Sequence, residues 1–250
     1  MNKILGVKEW AEASYNIQSG CKFSCSYCYA KAHAIRFKRH TAESWEKPIK
    51  NYKSKIPKNK IVMFPTTHDI SAKNLILFSM QLYQLLEQNK KVIIVSKPSY
   101  NCIVSICNTF KEHKNKILFR FTIGSLQDDI LSFWEPRAPE ASERMACLKY
   151  AFINGFKTSV SMEPLLNIDF DQTVNDILHL EQLVNEKIWI GKMNHGASRL
   201  TINGHPEKIK DFRKLDCYWN QEMLIKLQRQ PDISDFGNKI AWKENCIKKP

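Results

Sequence analysis

The chain has 250 residues, 43% hydrophobic and 25% charged, which is enough for a well-buried core and excludes a disordered composition. No apolar run approaches the ~20 residues that cross a bilayer, and Glu9 and Glu12 interrupt the amino-terminal stretch, so neither a membrane span nor a secretory signal is expected and a cytoplasmic setting is. The net charge of +13 favours a polyanionic partner such as DNA or RNA, with a generally basic surface as the alternative.

In chain order, a first strand is expected over residues 14–17, feeding a cysteine-rich loop that runs into a helix. A buried-type run at 61–64 stops at Pro65, and a helical face follows over 74–88, with Leu75, Leu77, Phe78, Leu82, Leu85 and Leu86 in register. Residues 91–96 are rich in β-branched side chains and end before Pro98. A helix over about 101–112 leads to a fourth strand at 117–123. A helix over 141–154 is closed by Gly155, and strands at 157–162 and 187–190 flank another helical face formed by Phe170, Val174, Ile177, Leu178 and Leu183. Six strands alternating with helices predict a parallel α/β architecture. Right-handed crossovers would wind it into a partial (β/α)6 TIM-like barrel, with its chemistry at the carboxyl ends of the strands. Residues 1–200 would form this barrel domain. Residues 201–250 would form a helical carboxyl-terminal extension packed on the same domain, with a helix at 219–230 and no obvious strand.

The strongest chemical signal is Gly20-Cys21-Lys22-Phe23-Ser24-Cys25-Ser26-Tyr27-Cys28-Tyr29-Ala30. The eight cysteines of a chain in a reducing compartment point to metal or catalysis rather than to disulfides. Three thiolates spaced C-x₃-C-x₂-C suit three irons of one cubane, and the lack of a fourth nearby thiol leaves one iron open to a small ligand. Zinc is the rival, with His33 or His40 as a fourth ligand, because structural zinc sites are closed by four ligands. Cys102 and Cys107 fall in one helix, Cys147 reads as core filler, and Cys217 and Cys246 lie in the carboxyl-terminal region.

The loop, with Tyr27 before its third cysteine, resembles the radical S-adenosylmethionine (SAM) superfamily. Further segments resemble its spore photoproduct lyase-like family: Met63-Phe64-Pro65-Thr66-Thr67-His68-Asp69, Val95-Ser96-Lys97-Pro98-Ser99, Phe119-Arg120-Phe121-Thr122-Ile123-Gly124, and Trp134-Glu135-Pro136-Arg137-Ala138-Pro139 with Glu143-Arg144. Their order holds over roughly residues 14–165. The resemblance implies a [4Fe–4S] cluster on Cys21, Cys25 and Cys28, SAM on the open iron through its amino and carboxylate groups, and a one-electron donor such as flavodoxin or ferredoxin. It implies that the backbone around Tyr29 and Ala30 meets the adenine, and that Tyr27, Thr67, Asp69, Lys97, Thr122 and Glu163 belong to the cofactor side. Glu135 and Arg144 are expected to brace the fold as an ion pair, and Arg137 to reach an anion or remain at the surface.

The segment after the sixth strand, Gly191-Lys192-Met193-Asn194-His195-Gly196, suits a pocket rim, or equally an ordinary polar loop. Lys192, Asn194 and His195, together with His68, are the substrate-side candidates. No cysteine precedes Cys21, and the lesion-binding carboxyl-terminal region of the spore photoproduct lyase-like family does not align with this sequence, so photolesion repair is not expected to transfer. Three functions remain: radical chemistry on DNA or RNA, radical modification of a peptide or small metabolite, and a non-catalytic zinc module. Tyr52, Tyr218 and Trp219 could stack on bases in the first, or pack in a core.

Overall fold

The computed structural model describes residues 6–50 and 55–246, which leaves Tyr52 outside the described residues. The elements, in order, are β1 (Ala13–Ser14), β2 (Gln18–Ser19), α1 (Tyr29–Arg36), β3 (Ile49–Lys50), β4 (Ile61–Met63), α2 (Leu75–Glu87), β5 (Lys91–Ser96), α3 (Tyr100–Thr109), β6 (Ile117–Thr122), α4 (Asp128–Trp134), α5 (Ala141–Ile153), β7 (Lys157–Met162), α6 (Phe170–Glu181), β8 (Ile188–Ile190), α7 (Gly196–Asn203), α8 (Ile209–Tyr218), α9 (Gln221–Arg229), α10 (Pro231–Ser234) and β9 (Ile240–Trp242). Seven strands form one sheet in the order β1-β4-β5-β6-β7-β8-β9, and every neighbouring pair is parallel. The fold is therefore the expected α/β partial barrel.

Period-two alternation in the strands builds two cores. Val92 and Ile94 of β5 and Phe119 and Phe121 of β6 face the helices and join the main core with Phe78, Ile103 and Leu148. Their alternates Ile93, Val95 and Leu118 face inward, where they meet Met63, Val7, Trp10 and Ala11 in a separate small cluster. β6 also carries Arg120 inward, 4.5 Å from the Trp10 ring and 5.2 Å from that of Trp189. Burial lowers the Arg120 pKa to about 10, which still leaves it charged at neutral pH, and the two indole faces partly replace its lost water.

One expectation is corrected. Residues 201–250 are not purely helical, because β9 pairs in parallel with β8, with Ile188 opposite Ile240 and Ile190 opposite Trp242. Three residues are too few to show an alternating pattern, so no sequence signal marked this strand. It nearly closes the barrel: just beyond it Lys243 Nζ lies 2.6 Å from Glu9, which precedes β1 at the opposite edge.

Smaller differences follow local chemistry. The helix after β5 ends at Thr109 and gives way to a 3-10 segment, Lys111–Lys116. α5 stops where Gly155 takes a φ of +76°, a left-handed cap that glycine adopts without a Cβ penalty. Trp219 is fully buried and donates Nε1–H to Asn167 O at 2.7 Å, so packing and not base stacking accounts for it. Tyr218 lies edge-on against it at 5.1 Å. Cys102, Cys107 and Cys147 are buried in the main core, Cys246 is buried and Cys217 is exposed.

Candidate active site

Because all seven strands run the same way, their carboxyl ends share one rim. The segments that leave this rim line a cavity of about 370 Å³. Cys21, Cys25, Tyr27, Cys28, Tyr29 and Ala30 enter it from the loop before α1. Thr67, His68 and Asp69 come from beyond β4, Lys97 from beyond β5, Thr122 from the end of β6, Glu163 from beyond β7, and Lys192 and Asn194 from beyond β8. Of the expected site residues, His195 alone is not part of the lining. It sits exposed at the start of α7 with a left-handed φ of 53°.

The cysteine loop is held by partners far away in sequence. Gly20 has a φ of +99°, and a Cβ there would come within 2.7 Å of Trp45 O, so only glycine lets the chain pass. Cys21 N–H donates to that same carbonyl at 3.0 Å. Ser26 donates through N–H and Oγ to Trp134 O, at 3.0 and 2.8 Å. Cys28 caps α1, its Sγ accepting from Lys31 N at 3.4 Å. Asn203 at the end of α7 donates to both Ser26 O and Cys28 O, at 2.9 and 3.0 Å.

Behind the loop lies a buried charge network. The Tyr27 hydroxyl donates to Glu135, whose other oxygen lies 2.6 Å from Arg144, and Lys97 Nζ is 3.8 Å from the same carboxylate. Arg144 also donates to Pro139 O and Thr122 O, so it ties the loop after α4 to the end of β6. Burial alone would raise the Glu135 carboxyl, but Lys97 and Arg144 outweigh it and hold the group below the ordinary carboxylate range. The expected ion pair is therefore present and fully enclosed. Arg137, by contrast, is at the surface and pairs with Glu46.

Asp69 accepts from Lys97 N at 2.6 Å and from Ser96 Oγ at 2.9 Å, while its other oxygen is 3.6 Å from Cys21 Sγ. His68 is buried between backbone groups: Ile17 N–H donates to Nε2 at 3.3 Å, and Nδ1 meets Asp69 O at 3.2 Å. Burial lowers its pKa to about 4, so it is neutral at physiological pH with both nitrogens engaged by the backbone.

The three thiols face a wall of Phe23, Ala30, Ala34 and Trp45. Burial pushes all three up, opposed at Cys25 by Lys97 and at Cys28 by the backbone N–H of Lys31. Thiols in such a wall ionise readily only against a strong Lewis acid, which suits a soft metal cluster with one face turned to the cavity. A closed zinc site does not fit. His40 is hydrogen-bonded to Ser19 and Ser44, and His33 packs on Phe37 beside Arg39, so neither imidazole is turned to the thiols as a fourth ligand.

Several other cavity residues were not foreseen, among them three with charged or large aromatic side chains. Arg199 comes from α7, Lys243 from beyond β9, and Trp10 from before β1. Lys243 pairs with Glu163 at 3.6 Å and with Glu9 at 2.6 Å, and its ammonium sits 4.6 Å from the Trp10 ring. These residues follow short or irregular elements and belong to no motif. Trp10, with Val7 and Ala11, covers the inward-facing Ile93, Val95 and Leu118 of β5 and β6.

No helix among the described residues is long and apolar enough to cross a membrane. Spore photoproduct lyase with bound AdoMet and dinucleoside spore photoproduct superposes with a TM-score of 0.63 at 15% identity, over 96% of this chain and 78% of that one. Another structure of that enzyme, with dinucleoside spore photoproduct, gives 0.62 at 16% identity over the same shares. The uncharacterized protein ORF301 of Acidianus two-tailed virus is 25% identical over 222 residues, 71% of this chain and 73% of that protein. The Radical SAM superfamily profile matches residues 15–181, well over half of the chain. The chain belongs to the radical SAM superfamily and is an enzyme of that class, whose cofactors are a [4Fe–4S] cluster and SAM.

Proposed function

We propose that Cys21, Cys25 and Cys28 hold the cluster, that SAM lies in the adjoining cavity, and that the substrate is a nucleic acid. The observation that carries this reading is the cavity itself. Three thiols share it with Lys97, Lys192, Arg199 and Lys243, in a chain of net charge +13. Folds of the same shape hold a dinucleoside photoproduct, which adds support. When bound, the cluster supplies the electron that cleaves SAM and yields a carbon radical able to take hydrogen from an unactivated carbon.

The chain's own residues position and shield. Phe23 and Trp45 pack against the thiols and keep water from them. Tyr29 donates to Thr66 O, which fixes the Tyr29–Ala30 backbone where the adenine is expected. Asp69 orients the Lys97 backbone, and Lys97, Thr122 and Glu163 offer polar contacts to the ribose and methionyl parts. Lys192 and Asn194 stand at the open rim, tied by hydrogen bonds to Asn245. A reducing, cytoplasmic setting and a flavodoxin or ferredoxin donor go with this reading.

The test is binding of single- and double-stranded DNA and RNA to anaerobically reconstituted holoenzyme across a salt series. The reading expects affinity that falls steeply with salt and rises when SAM is present. Salt-independent or absent binding would overturn the nucleic-acid assignment and leave a peptide or small metabolite as substrate.

A further inference from the structure

Four cations line the cavity, and three of them have carboxylate partners. Lys97 faces Glu135, Lys192 Nζ is 2.6 Å from Asp216, and Lys243 meets Glu9 and Glu163. Arg199 differs. Among the described residues it has no carboxylate within 4 Å and its guanidinium donates no hydrogen bond. It lies over the Tyr29 ring, whose centroid is 5.9 Å from the guanidinium carbon.

Its direction is set by the helix. Arg199 and Asn203 are four residues apart on α7 and so share a face. Asn203 on that face bonds the carbonyls of Ser26 and Cys28. The guanidinium is thus carried over the cysteine loop and into the cavity, on the side of Tyr29. Glu163, a carboxylate of the lining that attracts it, is already engaged by Lys243. A half-buried guanidinium with no counter-ion is costly unless a ligand supplies one, and its planar fork matches the paired oxygens of a phosphate or carboxylate.

We propose that Arg199 is the anchor for an anionic group of the substrate, a phosphate or carboxylate held beside Tyr29 at the mouth of the cavity. This rests on SAM occupying the same cavity. If SAM meets the open iron through its carboxylate, as the resemblance implies, that carboxylate has the metal as its ligand, and the fork is assigned to the second molecule.

The test uses anaerobically reconstituted holoenzyme saturated with SAM, titrated calorimetrically with inorganic phosphate and with a ten-nucleotide oligo-dT. SAM affinity is measured separately. Arg199→Gln, checked for unchanged iron content and melting temperature, should weaken phosphate binding by roughly ten- to a hundredfold, with Arg199→Lys between it and wild type. SAM affinity should stay within about twofold. The proposal is overturned if wild type binds no phosphate, if Arg199→Gln binds it as wild type does, or if SAM affinity falls as much as phosphate affinity. Phosphate binding that depends on Arg199 without any binding of oligo-dT keeps the anchor and overturns only the nucleic-acid reading.

Discussion

The two walls of the cavity differ in what holds them. On the cysteine wall the partners are buried and distant in sequence: Trp45, Trp134 and Asn203 bind the loop backbone, and Tyr27, Lys97 and Arg144 converge on an enclosed Glu135. On the wall built by the segment after β8, the ties are nearer the surface. Lys192 pairs with a half-exposed Asp216, and Asn194 is exposed. The difference matches the tasks assigned to them. A cofactor shared by the superfamily needs a rigid, dry wall, whereas the wall that meets a particular substrate can vary without disturbing the fold.

The contrast predicts an ordered set of effects. Glu135→Gln should have the largest, because it leaves Lys97 and Arg144 buried with too little negative charge. Breaking such a pair costs about 3–5 kcal/mol, or a melting temperature lower by roughly 6–20 °C in a chain of this size. A drop in thermal unfolding of under about 2 °C would show that the cysteine wall is not held by this network.

His68 makes the same wall sensitive to acid. Its folded pKa of about 4 lies below the ordinary value near 6.5, so the unfolded chain takes up the proton first. Its contribution is complete above about pH 6.5 and is lost as pH falls towards 4, about 3 kcal/mol in all. Denaturant unfolding from pH 7 to 4 should show that loss in wild type and a flatter profile in His68→Gln. Equal slopes would contradict the buried neutral imidazole.

Asn203→Ala removes the donor that joins α7 to the carbonyls of Ser26 and Cys28. It should cost about 1–3 kcal/mol and hasten iron loss from reconstituted protein under a chelator. Unchanged iron retention would separate α7 from the cluster loop. The smallest effect belongs to the other wall: Asp216→Asn, which breaks a half-exposed pair with Lys192, should change stability by at most about 1 kcal/mol. A larger loss would erase the contrast.

How much of this could be read from the sequence follows the same division. The strands at 61–64, 91–96, 117–123 and 157–162 were legible because their residues alternate or run apolar over several positions. The cysteine wall was legible because its chemistry is local: three thiols in eight residues cannot be mistaken for filler. Asn203, Arg199 and Lys243 were not. Each sits on a short helix or beyond a three-residue strand, and each matters only through contacts with residues far away in the chain. Arg137 shows the converse. It stands within a motif yet pairs with Glu46 at the surface, while the unpaired arginine of the cavity comes from a segment with no motif at all.

The central claim is that the cysteine wall carries the cluster that cleaves SAM. The direct measurement is 5′-deoxyadenosine formed from SAM by the dithionite-reduced protein, alongside iron and sulfide content, for wild type and for Cys21→Ala, Cys25→Ala and Cys28→Ala. The account predicts about four irons and four sulfides per wild-type chain with steady cleavage, and loss of cleavage in all three variants. A colourless wild-type protein, or any one variant that keeps full cluster content and full cleavage, would contradict it.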